Sequence, residues 1–145
     1  MPAEIHDPDL LVRTLAEFRY EMRRFFQFSE DAAVRAGLLP RQYQLLLQVA
    51  AAPKGTAVTI AYIADRLGLK HNSAVELVDR SAHEGYVARA DDPDDRRRTI
   101  LRVTRKGNQL LARLAGQHAR ELNEAAPRLI KSLQRIRQHA ATEAE

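Results

Sequence analysis

Three consecutive arginines, Arg96, Arg97 and Arg98, follow four aspartates set around one proline, Asp91-Asp92-Pro93-Asp94-Asp95. A guanidinium is a planar fork of donors that matches the oxygens of a carboxylate or a phosphate. From residue 96 to 106 the chain carries Arg96, Arg97, Arg98, Arg102, Arg105 and Lys106, with no acid among them. A block of one sign draws polyanions more strongly than the modest overall charge of +4 does. The bland alternative is a solvated charged loop, and the flanking segments weigh against it.

Those segments are Tyr86-Val87-Ala88-Arg89 and Thr99-Ile100-Leu101-Arg102-Val103, both of which read as strands. Asp-Pro-Asp-Asp between them is turn chemistry, since Asp bonds its own backbone and Pro presets φ. The unit is a β-hairpin whose tip presents an arginine fork, a shape suited to a narrow groove lined by phosphate. Upstream, Thr59 is placed to cap a helix carrying Ile60, Ile63, Ala64 and Leu67, and Gly68 follows as a turn residue. A second helix is expected from about Ser73 to Glu84, with Ala74, Leu77, Val78 and Ser81 inward and Gly85 closing it. Two short helices joined through a glycine form a helix-turn-helix, and the hairpin directly after it makes the motif winged. Val58-Thr59 is expected as a short strand.

Longer helices flank this block. Leu11, Leu15, Phe18, Met22, Phe25 and Phe26 recur at helical spacing over residues 8–36, with Gly37 as a stop. Pro40 opens a further helix, with Tyr43, Leu46, Leu47 and Ala50 on one face. After the hairpin, Leu110, Leu111, Leu114, Ala115, His118 and Leu122 continue helically. Pro127 marks a break or kink, and Leu129, Ile130, Leu133 and Ile136 resume the stripe. The tail from Ala140 should fray. The fold class is mainly α with a small β wing, in one domain over residues 1–145. The winged helix-turn-helix spans 38–107. The apolar stripes of 8–36 and 108–139 need covering and make a natural dimer lobe. A dimer would set two recognition helices one duplex turn, roughly 34 Å, apart on a pseudo-palindromic site.

Composition narrows the classes. With 45% hydrophobic residues the chain is expected to fold, and no apolar run approaches the roughly 20 residues of a membrane helix. Met1 to Asp9 lacks the apolar stretch of a signal peptide. Zero cysteines exclude disulfides and cysteine-ligated zinc, and a cytoplasmic protein is the simplest expectation. The histidines His6, His71, His83, His118 and His139 show no tight metal-ligand spacing, so surface or packing roles are expected and no metal. No phosphate loop, HExxH or nucleophile motif is present, so neither a catalytic site nor a cofactor is expected.

The segments Ile60-Ala61-Tyr62-Ile63-Ala64-Asp65-Arg66-Leu67-Gly68-Leu69, Ala74-Val75-Glu76-Leu77-Val78-Asp79-Arg80, Glu84-Gly85-Tyr86-Val87, Asp92-Pro93-Asp94-Asp95-Arg96-Arg97 and Leu101-Arg102-Val103-Thr104-Arg105-Lys106-Gly107 together resemble the MarR family of winged helix-turn-helix transcription regulators. The resemblance is close over about residues 38–110. Its specific part is Asp-x-Arg in the wing with Thr-x-x-Gly at the next helix. It implies a triangular homodimer on double-stranded DNA, usually a repressor. It also implies relief by a small, often aromatic and anionic effector lodged between the lobes. The family's minor-groove arginine falls on Arg97, with Asp95 pinning it by a bidentate ion pair. A surface ion pair is the plain alternative.

Arg96 and Arg98 are candidates for phosphate or solvent, and Lys70 for phosphate. The recognition helix should offer His71, Asn72, Ser73 and Glu76 to base edges. Ser73 also fits a capping box with Glu76. Glu76 stands where the family often has a basic residue. It could accept from cytosine N4 or pair with Arg80 one turn on, leaving Arg80 near phosphate. Ser81 and Ala82 replace commonly larger residues. Tyr20, Arg24, Phe25, Tyr43 and Leu47 are candidates to border an effector cleft, or ordinary core residues. The reading from another class is a ligand- or protein-binding module that keeps the winged scaffold without reading DNA.

Overall fold

A computed structural model describes residues 8–144, and the helical and alternating patterns become five helices and two strands among them. The elements are α1 (Pro8–Arg35), α2 (Pro40–Ala50), α3 (Ile60–Leu67), α4 (His71–His83), β1 (Val87–Asp91), β2 (Thr99–Val103) and α5 (Arg105–Glu143). The fold is mainly α with a small β wing. His6 and most of the Met1–Asp9 segment lie outside the described residues. Two compact units divide the chain: Glu30–Gly116, and the described parts of Met1–Ser29 with Gln117–Glu145.

The Glu30–Gly116 unit packs α2, α3, α4 and the ribbon β1–β2 together. Leu45, Leu46, Ile63, Val78 and Leu114 are its largest fully buried apolar side chains. On α4 the expected inward set is the observed one: Ala74, Leu77, Val78 and Ser81 are all buried. On α2 the buried face is Gln42, Tyr43, Leu45, Leu46 and Val49, while Leu47 is 37% exposed and Ala50 is exposed. The stripe therefore lies one residue earlier than the apolar spacing suggests, because polar Gln42 occupies a core position.

Val58 is buried but forms no strand. Its carbonyl accepts one bond from Leu101 N–H (2.9 Å), and the chain then turns at once into α3. Thr59 makes that turn as expected, its side chain accepting from Tyr62 N–H at 3.1 Å. Gly68 closes α3 in the left-handed region at φ 64°, a conformation costly for any residue with a Cβ. The break that Pro127 could make in α5 does not occur: the helix runs through it and on to Glu143. Asn123, whose carbonyl loses its partner at Pro127, is exposed, so water can satisfy that oxygen.

The unit of residues up to Ser29 and from Gln117 has a polar centre. Glu21, 7% exposed, takes Arg128 in a bidentate pair, Nε to Oε1 at 2.8 Å and Nη2 to Oε2 at 3.3 Å. The pair holds the Arg128 guanidinium above its usual pKa. His118 is buried, its Nε2 lies 2.7 Å from Ser29 Oγ, and the rings of Phe25 and Phe28 meet it edge-on. That is the packing role expected of it, and no metal cluster occurs among the described residues. In contrast, Val12, Leu15, Phe26, Leu122, Ile130 and Leu133 of the same unit are exposed.

The wing joins α5 at a crowded corner. Thr104 Oγ1 donates to the Gly85 carbonyl (2.6 Å), lies 3.1 Å from that of Tyr86, and accepts from Gly107 N–H (3.1 Å), which caps α5. A Cβ on Gly107 would meet Tyr86 O at 2.3 Å and Val103 Cγ1 at 2.8 Å. Both neighbours are fixed, one of them backbone. Gly107→Ala should therefore cost on the order of 1–3 kcal/mol, as overpacking does. Urea unfolding of wild type and variant measures it, and an unshifted midpoint would contradict the crowding.

Candidate nucleic-acid interface

The first turn of α4 is open. Lys70 is its N-cap residue, in extended conformation and with no side-chain cap. The helix therefore begins at His71, two residues before the expected start. Ser73 is the third helical residue, so the Ser73–Glu76 capping box does not form. Its first carbonyl bond is Lys70 O to Ala74 N–H at 3.0 Å. Lys70, His71, Asn72, Ser73 and Glu76 are all exposed. An uncapped first turn leaves backbone N–H groups facing outward beside Lys70, an arrangement that favours an anion.

Behind that surface α4 is tied down by polar contacts. Arg80 pairs with Glu84 at 3.2 Å, so the expected Glu76–Arg80 pair is not the one Arg80 makes. Glu84 also accepts from Gln42 Nε2 at 2.8 Å, while Gln42 Oε1 takes Leu39 N–H at 2.9 Å and caps the start of α2. Ser81, fully buried, donates to Leu77 O (2.8 Å) and lies 3.4 Å from Gln42 Nε2. One buried amide thus anchors α2 to α4. Asp79 of α4 forms an ion pair with Arg89 of β1, fixing the helix against the wing. Of these partners only Arg80 with Glu84, one helical turn apart, and Gln42, polar in an otherwise apolar helical register, carry a local sequence signal.

The wing pairs Val87 with Val103 through Asp91 with Thr99, antiparallel. At its tip Arg97 is 91% exposed and Asp95 holds it by one oxygen: Oδ1 accepts from Arg97 N–H (3.0 Å) and lies 3.3 Å from Arg97 Nε. The tether is single-oxygen, not the bidentate pair expected. The second oxygen of Asp95 faces Arg98 Nε at 3.8 Å. Arg98 is not free, because its Nη2 lies 2.9 Å from Asp92 Oδ2. Arg96 is exposed. The exposed first turn of α4 and the exposed Arg97 belong to one unit.

The five effector candidates are divided. Tyr20, Arg24 and Phe25 lie in the unit with Ser29 and Gln117, and Tyr43 and Leu47 in the other. Tyr20 is 49% exposed with Arg23 and Arg24 guanidinium carbons 5.7 and 5.8 Å from its ring centre. Phe25 packs against Phe26 and His118. Tyr43 is buried, and burial pushes its phenol above the usual pKa. A groove of about 1050 Å³ beside α4 is lined by Glu30, Glu76 and Glu84 against Arg41, Arg80 and His83, a mixed lining that favours neither sign.

Residues 36–98 match the sequence model of the MarR family. The chain is 30% identical over 113 residues, 77% of its length, to a transcriptional regulatory protein proposed for the hcr operon of Thauera aromatica. It is 34% identical over 84 residues, 58% of its length, to the uncharacterized HTH-type transcriptional regulator YcgE of Bacillus subtilis strain 168. It spans only 65% and 53% of the length of those two relatives. The repressor CouR bound to a 23-mer DNA duplex shares 26% identity over 88% of this chain and 89% of its own, with a TM-score of 0.65. CouR from Rhodococcus jostii RHA1 bound to p-coumaroyl-CoA is alike in fold, at 24% identity, a TM-score of 0.61 and coverage of 78% and 83%.

The Glu84 contacts have a pH signature. The Gln42 amide first, then Arg80, holds the Glu84 carboxyl below the usual glutamate range against the opposing effect of burial. A depressed folded pKa means stability that is complete above the unfolded value and lost as pH falls through the folded one. Glu84→Gln should flatten the acid limb of a melting-temperature profile as pH falls through and below the usual glutamate range, and leave neutral pH less stable than wild type. A parallel profile would remove Glu84 from the acid limb.

Proposed function

For this chain, a member of the MarR family of winged helix-turn-helix proteins, we propose the function of a DNA-binding transcription regulator acting as a homodimer. The observation that carries the reading is the pairing, within one unit, of an uncapped exposed helix start at α4 with a 91% exposed Arg97 on an Asp95 tether. The α4 turn suits the major groove. There Lys70 and the free backbone N–H groups of His71 and Asn72 meet phosphate, and the Asn72, Ser73 and Glu76 side chains meet base edges. Arg97 suits the minor groove, where negative potential concentrates, with Arg96 beside it on phosphate.

The dimer follows from apolar surface. Phe26, Leu122, Ile130 and Leu133, exposed at 53%, 38%, 53% and 46%, would be covered by the same helices of a second copy. Repression relieved by a small anionic ligand is the regulatory mode we propose, supported by CouR, a repressor with both DNA-bound and p-coumaroyl-CoA-bound forms. Tyr20, Arg24, Phe25, Tyr43 and Leu47 remain its candidate contacts. Such a regulator acts in the cytoplasm, and no helix among the described residues is long and apolar enough to cross a membrane. The competing reading, a scaffold that binds a ligand or protein instead of DNA, is favoured by the exposed acid Glu76 on α4.

Two measurements test this. On duplex from the region upstream of its own coding sequence, log affinity should fall linearly with log salt, by about 0.9 per phosphate contacted. Arg97→Ala should weaken binding by roughly 1–3 kcal/mol. A duplex-blind chain, or an Arg97→Ala variant equal to wild type, would remove the grooves from the account. In sedimentation the chain should run as a dimer, and Ile130→Asp with Leu133→Asp should yield monomers with weakened duplex binding. A wild-type monomer would remove the dimer.

A further inference from the structure

Resting on the DNA-binding reading, we propose that Arg98 is a positioning residue: it clasps the neck of the wing tip so that Arg97 is presented, and does not itself bind phosphate. The tip leaves the ribbon after the last pair, Asp91 with Thr99, so residues 92 and 98 are its neck. Two links close that neck. Asp92 N–H donates to Arg98 O at 3.1 Å, and Arg98 Nη2 faces Asp92 Oδ2 at 2.9 Å.

Asp92 is only 5% exposed, unusual for an acid in a charged loop. Its Oδ1 accepts from Asp94 N–H at 2.9 Å. Its Oδ2 has no aligned hydrogen-bond donor among the described residues, although Arg98 stands at ion-pair distance. The Arg98 guanidinium is thus the counter-charge of a buried carboxylate. Drawing Arg98 onto a phosphate would leave that carboxylate unpaired, a costly state. Exposure sorts the arginines likewise: the Arg98 side chain is 49% exposed and that of Arg97 is 91%.

The clasp has a consequence for presentation. With the neck shut, Arg98 N–H bonds Asp95 O at 3.0 Å, and Asp95 in turn holds Arg97 N–H. The orientation of the presented side chain therefore depends on the arginine beside it. A tip ordered before contact loses less freedom on binding.

The test uses the full chain and the upstream duplex, with hydrogen exchange over residues 92–98 as a readout independent of DNA. Arg98→Ala should speed exchange in the tip, whereas Arg97→Ala should not. Arg98→Ala should weaken duplex binding roughly tenfold with the salt slope unchanged, while Arg97→Ala lowers the slope by about one. Asp92→Asn keeps the acceptor for Asp94 but drops the charge. It should reproduce the Arg98→Ala loss, and the double variant should add nothing further. Unchanged exchange in Arg98→Ala overturns the clasp. So does a slope lowered by about one together with losses that add to those of Asp92→Asn, for Arg98 would then be a phosphate contact. A wild-type chain that ignores duplex overturns the regulator reading and the presenting role, while the exchange result still judges the clasp.

Discussion

The corner where Tyr86 meets α5 ties α4, the wing and the start of α5 together. The carbonyls of Gly85 and Tyr86 end the α4 turn, and the Thr104 hydroxyl reaches both while capping α5. Gly107 lets the helix backbone approach Tyr86 O more closely than any Cβ permits. Lys106 adds a bond to Glu84 O at 2.8 Å and sits 4.6 Å over the Tyr86 ring. The end of α4, the base of the wing and the start of the longest helix are thereby tied at one point. The Thr104-x-x-Gly107 spacing is what that geometry demands: a hydroxyl at the cap and no side chain three residues on.

Electrostatic bookkeeping in the wing explains why so basic a loop carries so many acids. Unrestrained arginines are long and mobile, and each must lose that freedom on contact. Asp95 and Asp92 take up that role before any partner arrives, leaving Arg97 the most exposed of the paired side chains. On α4 the acids act similarly. Asp79 is engaged by Arg89, and Glu84 engages Arg80, so the exposed first turn is left with Lys70 and Glu76 as its nearest charges.

Much of this architecture was legible in the residues. The α4 core face, the Thr59 cap, the glycine stop at Gly68 and the wing strands follow from periodicity and turn chemistry, because each is a local preference. Contacts between distant residues were not legible. Gln42 hid the true face of α2, since a polar residue breaks the apolar pattern unless its partners Glu84 and Leu39 are known. Ser73 looked like a cap because Ser-x-x-Glu is a local signature, yet tertiary packing began the helix two residues earlier. Glu76 with Arg80 had ideal spacing, but Arg80 had a second acid at the same spacing in Glu84. Pro127 was tolerated where its orphaned carbonyl faces water.

The single bond from Leu101 N–H to the carbonyl of Val58 has an effect beyond local packing. A two-stranded ribbon has two bare flanks, and each is a template onto which another chain can stack. Here the outer flank of β2 is met at its middle residue by the carbonyl of Val58, itself held in a tight turn by the bond from Thr59 N–H to Ala57 O at 3.0 Å, at a place where an invading peptide could pair. The N–H at the middle of that flank is thereby already used, which makes β2 a poorer template for a stacking strand.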